Sequence, residues 1–147
     1  MKLVYRRMAE QDMAALYIIK FSVSENLPKE HNIKYLTNQY VLDDIRNGCA
    51  WICEHKNQFV GFAIGVYDNG PLIGGLYVMP DYHFKGIGTE LLNLVKRDLF
   101  KKYPDSSHIS LTTDVGSSAE KFYLKRKWIF LGLDQYGQSI FRIGRDD

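Results

Sequence analysis

The sequence predicts a mixed α/β fold, an α+β mixed sheet forming one domain over residues 1–147 in the order β-α-α-β-β-β-α-β-α-β-β. Three observations carry this expectation. Short apolar runs of strand length alternate with segments of helical period, and no repeat or low-complexity linker interrupts them. An apolar strand ends at Pro80, and the loop behind it opens through Gly86-Ile87-Gly88 into an amphipathic helix. A chain of 147 residues is most simply one domain, long enough to bury roughly 68–70% of its unfolded surface.

Each element has its own signal. Leu3 to Arg6 reads as a short first strand. A helix follows from Glu10 to Phe21, with Met13, Leu16, Tyr17 and Phe21 on one face and Gln11 and Asp12 in the first turn. Ser22 to His31 contains Pro28 and reads as a loop. A second helix from Tyr35 to Arg46 stops at Asn47-Gly48, a natural left-handed cap. Ala50 to Glu54 and Phe59 to Tyr67 pair across His55-Lys56-Asn57-Gln58. The turn Asp68-Asn69-Gly70-Pro71 then leads into the strand Leu72 to Val78, completing an antiparallel meander.

After the glycine loop, Ile87, Leu91, Val95 and Leu99 recur every fourth residue, and Leu92 and Leu94 widen the stripe. Thr89, Glu90, Asn93, Lys96 and Arg97 take the other side, and Pro104 bounds the helix. His108 to Thr113 reads as a strand. Ser117-Ser118-Ala119-Glu120 has the form of a capping box that opens a short helix through Arg126. Trp128 to Leu133 and Ser139 to Ile143 close the chain as a hairpin around Tyr136-Gly137.

Composition narrows the function classes. Hydrophobic residues make up 46% and charged residues 24%, values of a globular protein. A net charge of +2 is too small to argue for nucleic acid, and Lys96-Arg97 and Lys101-Lys102 read as a solvated helix face. Met1 to Arg7 lacks the apolar core of a signal peptide, and no run reaches membrane-spanning length. A cytoplasmic protein without a membrane partner is expected. Cys49 and Cys53 flank a strand segment, too far apart along it for a disulfide, and no histidine lies at ligand spacing. Both read as packing residues, and no metal is expected.

The glycine loop carries the chemistry. Backbone N–H groups at a helix start have no intrahelical partners, and the helix dipole adds partial positive charge. Glycines let a phosphate approach such a backbone closely, so the loop reads as an anion cradle. A P-loop would need lysine after its last glycine, where Gly88 is followed by Thr89-Glu90. A dinucleotide fingerprint would need a third glycine at Leu91. His83-Phe84-Lys85-Gly86-Ile87-Gly88 instead resembles motif A of the GNAT (Gcn5-related) N-acetyltransferases, Gln/Arg-x-x-Gly-x-Gly/Ala, with histidine at the first position. Ala119-Glu120-Lys121-Phe122-Tyr123, continuing to Trp128, resembles the family's motif B, Asn-x-x-Ala-x-x-Phe-Tyr-x-x-x-Gly-Phe. Gly116 stands where the asparagine is common and Lys127 at the glycine. The runs Ser22-Val23-Ser24-Glu25-Asn26 and Thr112 to Tyr123 resemble a GNAT subgroup, so the likeness spans essentially the whole chain.

The resemblance implies the GNAT acyl-CoA N-acyltransferase fold, acetyl-CoA as cofactor, and a primary amine of a small molecule or peptide as acceptor. Leu76, Tyr77 and Val78 stand where the family's strand bonds the acetyl carbonyl and pantetheine amides, with the Val78 N–H as the expected donor. His83, Phe84, Lys85, Gly86, Ile87, Gly88 and Thr89 form the diphosphate loop, and Gly116 and Ala119 line the cofactor arm. Tyr123 stands where the family usually places the acid that protonates the leaving thiolate; a phenol is protonated at neutral pH. The other reading of Tyr123 is a core aromatic beside Phe122, and of His83 a plain surface histidine. Glu25, Asn26, Tyr67 and Thr113 are candidate acceptor-side residues, and Tyr35, Tyr40 and Tyr136 line a pocket or pack. The strand Leu72 to Val78 lacks the glutamate that many members use as base, leaving Glu25, Asp68 and Asp114 as carboxylates that act or merely cap and solvate. A homodimer is a further expectation. A domain that binds acyl-CoA as a sensor without turnover is the alternative function.

Overall fold

The computed structural model describes residues 1–147. Strand β1 (Val4–Arg7) leads through a 3₁₀ turn, Glu10–Asp12, into helix α1 (Met13–Lys20). A second 3₁₀ turn, Ile33–Leu36, precedes helix α2 (Asn38–Arg46). The single helix expected from Tyr35 is therefore broken at Thr37, whose backbone is extended at φ −68° and ψ 151°. Threonine at a helix start favours that conformation, and here it outweighs the helical period of the flanking residues.

Strands β2 (Ala50–His55), β3 (Gln58–Tyr67) and β4 (Pro71–Val78) form the antiparallel meander. His55 pairs with Gln58, so only Lys56 and Asn57 make the first turn. Their φ values of 52° and 62° are those of a type I′ hairpin, tighter than the four-residue connection read from the sequence. Helix α3 (Ile87–Lys102), β5 (His108–Thr113), helix α4 (Ser118–Lys125), β6 (Ile129–Leu133) and β7 (Ser139–Gly144) complete the chain.

The seven strands form one sheet in the order β1-β2-β3-β4-β5-β7-β6. Only β4 and β5 run parallel, and they pair at the single position Leu72↔Ser110. Beyond it the two strands separate, and the C-terminal half of β4 has a free edge. The core lies on both faces of the sheet. On one face Ile87, Leu91, Val95 and Leu99 of α3 pack with Ile109, Trp128 and Phe141. On the other, Leu16, Ile19, Val41 and Ile45 of α1 and α2 cover Ile52, Phe62 and Ile64. Fully burying each such side chain contributes about 1.5–3 kcal/mol, and that burial holds the helices against the edges of the gap.

Two carboxylates lie inside this frame. Asp12, 1% exposed, accepts bonds of 2.7 and 2.8 Å from the Arg6 guanidinium and one from the Ala9 N–H. Arg6 holds its carboxyl below the usual range, against burial. Asp98 of α3 accepts from Arg7 at 2.6 Å and from the Trp51 indole at 2.7 Å. Burial would raise its pKa, but those two donors outweigh it and lower it. Both pairs tie β1 to the helices on either face. Cys49 and Cys53 are buried free thiols, as expected of packing residues.

Candidate active site

The free edge of β4 has a fixed polarity. In an antiparallel pair, successive residues turn their N–H and C=O groups to alternate sides. The Met79 N–H donates to the Val60 carbonyl at 2.8 Å, so Tyr77 and Met79 face β3. Leu76 and Val78 therefore turn their backbone groups into the gap. The Val78 carbonyl accepts a hydrogen bond of 2.7 Å from Nε2 of His83. A carbonyl only accepts, so that nitrogen carries the proton and Nδ1 is the ring atom left to meet a ligand. His83 thus folds back onto the strand while remaining exposed.

The loop below the gap is open. Gly86 is the residue before α3 and has a φ of +83°, and a Cβ added there would meet no atom within 4 Å. The first intrahelical bond runs from the Glu90 N–H to the Gly86 carbonyl, leaving the N–H groups of Ile87, Gly88 and Thr89 without helix partners. Phe84 is also left-handed, with φ 62°, and is wholly exposed beside them. Lys85 is exposed as well.

A residue the sequence reading passed over, Arg126, completes this corner. Its Nε and Nη2 donate to the Thr89 hydroxyl at 2.8 and 2.6 Å, and Nη1 donates to the Phe122 carbonyl. The guanidinium lies 3.6 Å from the Phe122 ring centroid and contacts no carboxylate. Burial lowers its pKa, with Tyr123 opposing, though an arginine stays charged regardless. The available signal was its spacing of four residues from Phe122, which puts both on one helix face.

Tyr123 sits in the core wall of the same corner. It is 6% exposed and packs edge-on against Phe122 and Trp128, at ring separations of 5.3 and 5.5 Å. Its hydroxyl makes no hydrogen bond within the protein, yet it is not fully enclosed; the Trp128 indole nitrogen is the enclosed side-chain atom without a partner. Burial raises the Tyr123 pKa well above the usual phenol value, the nearby Tyr77 raises it further, and Arg126 opposes. The hydroxyl therefore stays protonated. Ala119 packs at the edge of the core one turn earlier.

Backbone geometry accounts for the departure from motif B at Gly116 and makes the one at Lys127 costly. Gly116 has a φ of 76°, a conformation that glycine and asparagine both adopt readily. Lys127 adopts 69° just past α4, where the motif's glycine would carry no strain. The expected capping box is corrected: the Ser117 side chain makes no cap bond. Glu120 accepts instead from the Gly116 N–H and the Ser139 hydroxyl. The α4 start is capped by Glu25, which accepts from the Ser118 N–H at 2.9 Å and from its hydroxyl.

Asn26 and Thr113, candidates for the acceptor side, belong to a hydrogen-bond network. Asn26 donates through Nδ2 to the Thr113 hydroxyl at 2.8 Å and accepts the Asp114 N–H at 2.8 Å. Asp114 also accepts from the Asn26 N–H and Gln138, and pairs with Lys29 at 2.8 Å. Burial favours its neutral form, but these donors prevail and its pKa is lowered. Tyr77 donates its hydroxyl to the Asn26 carbonyl at 3.1 Å, and burial raises its pKa to about 12. His31 stacks on Tyr136 at 3.7 Å, joining the α1–α2 connection to the closing hairpin.

Other expected residues fall elsewhere. Tyr67 pairs with Pro71 in β3, six residues beyond Gly61, which faces Val78. At about 3.3 Å per residue it lies roughly 20 Å from the gap, so its assignment to the acceptor side is corrected. It stacks on Tyr103 there. Asp68 adjoins it and shares that remoteness, while Glu25 and Asp114 are occupied as described. Tyr35 and Tyr40 pack against each other edge to face. A surface cavity of about 510 Å³ lies between Ser22, His55, Met79, Pro80 and Lys85. It is open and away from Tyr123, so the gap between β4 and β5 is the better candidate for chemistry.

Solved structures share this architecture. An N-acetyltransferase PaiA of Thermoplasma acidophilum, in complex with coenzyme A, superposes with a TM-score of 0.78 at 19% identity, covering 98% of this chain and 99% of that one. Arabidopsis thaliana Naa50, bound to a bisubstrate analogue CoA-Ac-MVNAL, gives 0.74 at 19% identity, with 98% and 99% covered. N-acetylglutamate synthase of Neisseria gonorrhoeae, complexed with coenzyme A and N-acetyl-glutamate, gives 0.74 at 13% identity, with 98% of this chain and 35% of that one covered. No curated protein matches the chain by sequence. The sequence model of the Acetyltransferase (GNAT) family matches residues 12–128, which take in the gap, the cradle and the Tyr123 helix, and the chain belongs to that family.

Proposed function

We propose that the chain, as one domain over residues 1–147, transfers an acetyl group from acetyl-CoA to a primary amine of a small molecule or peptide, by direct attack in a ternary complex. The observation that carries this reading is the convergence on one gap of an unpaired strand edge, an open anion cradle and the unbonded Tyr123 hydroxyl.

The residues present fit the cofactor. The space over Gly86 is clear, and the N–H groups of Ile87, Gly88 and Thr89 and the Arg126 guanidinium are suited to its diphosphate. Lys85 and Phe84 border the same anion, as would His83 through an Nδ1–H when both ring nitrogens are protonated. The edge groups of Leu76 and Val78 suit its amides and acyl carbonyl, and Gly116 and Ala119 flank the arm. Acetyl-CoA would supply an activated acyl thioester. The Val78 N–H would polarise its carbonyl as a fixed backbone dipole. The Tyr123 hydroxyl, held protonated, would give a proton to the departing sulfur. Asp114 and Glu25 are occupied, so the amine would lose its proton to solvent before or during attack.

That missing free carboxylate is what favours the alternative, a domain that binds acyl-CoA as a sensor. Steady-state thiol release from acetyl-CoA over a panel of amines separates the two. Turnover is expected, and Tyr123→Phe should lower it by about 10²–10⁴-fold with acetyl-CoA affinity unchanged. Coenzyme A binding with no thiol release across the panel would establish the sensor.

No helix is long and apolar enough to cross a membrane, and a cytoplasmic site of action is part of the proposal. So is a homodimer: β6 is an edge strand whose Ile129, Phe130, Leu131 and Leu133 are all about half exposed, without a charge to repel a second copy. Light scattering of the purified protein checks it, and a monomer at high concentration would refute it.

A further inference from the structure

One cation on the α1 side of the sheet has no acid partner. Lys20, the last residue of α1, donates through Nζ to the Tyr77 hydroxyl at 2.9 Å, its only hydrogen bond. The ammonium lies 4.3 Å from the Tyr77 ring centroid. Both carboxylates nearby are taken: Asp114 by Lys29, and Glu25 at the start of α4. Lys20 is half-buried, so water only partly replaces a counter-ion.

Its position is informative. Tyr77 lies between Leu76 and Val78, whose backbone groups line the gap, and its side chain reaches the α1 face of the sheet. The cradle and Arg126 lie on the α3 side, where the cofactor's phosphates would sit. Lys20 therefore lies on the opposite face of the sheet from α3 and Arg126. It stands about one tyrosine length from the edge where an amine would attack.

We infer that the amine acceptor carries a carboxylate a few bonds from its reactive nitrogen, and that Lys20 is the residue that binds that acid. This rests on the acyl-transfer reading, and it specifies the substrate class. An arriving carboxylate would give Lys20 the charged partner that no protein group supplies, in a site where charge-assisted bonds are stronger than in water. A polycationic amine would meet Lys20 and gain nothing from Asp114, which Lys29 already neutralises. Burial and the neighbouring Lys29 push the Lys20 pKa down to about 8, the strain expected of an ammonium lacking a counter-ion; at pH 7 it is still mostly charged.

The test uses calorimetry on the protein saturated with coenzyme A. The probes are β-alanine, 4-aminobutyrate and glutamate, each against the same molecule with its acid converted to a carboxamide. The wild type should bind the acids roughly tenfold or more tightly than the amides. Lys20→Met keeps the aliphatic stem over Tyr77 and should abolish the difference, while Lys20→Arg should retain most of it. Should the methionine variant fail to fold, Lys20→Gln carries the same comparison. Equal affinity for acid and amide in the wild type, no binding of any acid, or a preference that survives loss of the ammonium would overturn the inference. Thiol release separates this from the acyl-transfer reading. Turnover without acid preference sinks the Lys20 assignment alone. Acid-dependent binding without turnover sinks acyl transfer alone.

Discussion

Gly86→Ala separates the backbone of the cradle from its chemistry. The added Cβ would meet nothing within 4 Å, so no packing term enters. What remains is the φ of +83°, which costs a residue bearing a Cβ about 1–2 kcal/mol. For 147 residues the unfolding entropy is about 0.3 kcal/mol per degree. The melting temperature of the ligand-free protein should therefore fall by about 3–6 °C. The methyl group also projects into the clear space over the helix start. Losing one close N–H contact to a phosphate removes about 1.5–3 kcal/mol, so acetyl-CoA affinity should fall by about 10–150-fold. Scanning calorimetry measures the first effect, and titration calorimetry well below the melting transition measures the second. A variant that melts lower but binds acetyl-CoA as tightly as wild type would refute the cradle. Unchanged melting would refute the left-handed backbone. Gly88→Ala is the useful companion, because its Cβ would press to 3.3 Å from the Phe122 ring, on which Arg126 also packs.

Arg126→Gln should raise the KM for acetyl-CoA by about tenfold with little change in kcat, since it removes ground-state contact with an anion; an unchanged KM would remove Arg126 from the site. Asp44 is half-buried without a partner, and burial, aided by Asp43, raises its pKa to about 6. A raised folded pKa means its contribution to stability is complete below about pH 4 and lost as pH rises through 6. Asp44→Asn should thus stabilise by about 1 kcal/mol at pH 7.5, after discounting for partial exposure, and by nothing at pH 4; equal melting of the two proteins at pH 7.5 would count against it. Asp12 is the opposite case, its pKa lowered by Arg6. Its stabilisation is present above about pH 4 and lost as pH falls through the lower folded value. Asp12→Asn should cost about 2 kcal/mol at pH 7, because Arg6 is partly exposed, and progressively less in acid. Melting curves at both pH values read it, and a loss that stays constant into acid would rule out the ion pair as its source.

The fold was legible wherever a local signal repeats. The fourfold spacing of Ile87, Leu91, Val95 and Leu99 marks a helix that buries one side, and all four are buried in α3, together with Leu92, Asp98 and Phe100. The backbone form of the glycine loop was legible too, because a left-handed Gly86 and an open helix start depend on short sequence spacing. The long-range pairings were not legible. Glu25 caps a helix that begins 93 residues later, and nothing near either residue announces the other. Asp12 reads from the sequence only as a first-turn residue and Asp98 carries no local signal; the approach of β1 makes both buried partners of arginine. Tyr67 was misplaced for the same reason. Its residue type suits a pocket, but the register of β3 against β4 decides which end of the sheet it occupies.

The two imperfect motif positions show how a family pattern should be read. Asparagine, at the position of Gly116, can contribute both a side chain and tolerance of positive φ. The chain keeps the second property with φ 76° and gives up the first. At Lys127 the pattern asks for glycine on backbone grounds, and the chain adopts φ 69° with a lysine, accepting strain at the end of α4. Arg126 precedes it and bonds Thr89 across the cradle, so the strained turn fixes the direction in which α4 ends and where that guanidinium sits. A substitution that looks like decay of the motif therefore lies next to the charge that the cradle gains. The same logic holds across the gap. The chain lacks the carboxylate that many relatives carry on β4, and the carboxylates it does have are bonded to Lys29 and the α4 start. What is left unpaired there is positive, at Lys20. A site whose spare charge is an ammonium cannot abstract the proton of an amine by a carboxylate, but it can hold an acidic acceptor in place. On the acyl-transfer reading, the lack of a free carboxylate and the proposed choice of an acidic acceptor would both follow from this one charge arrangement.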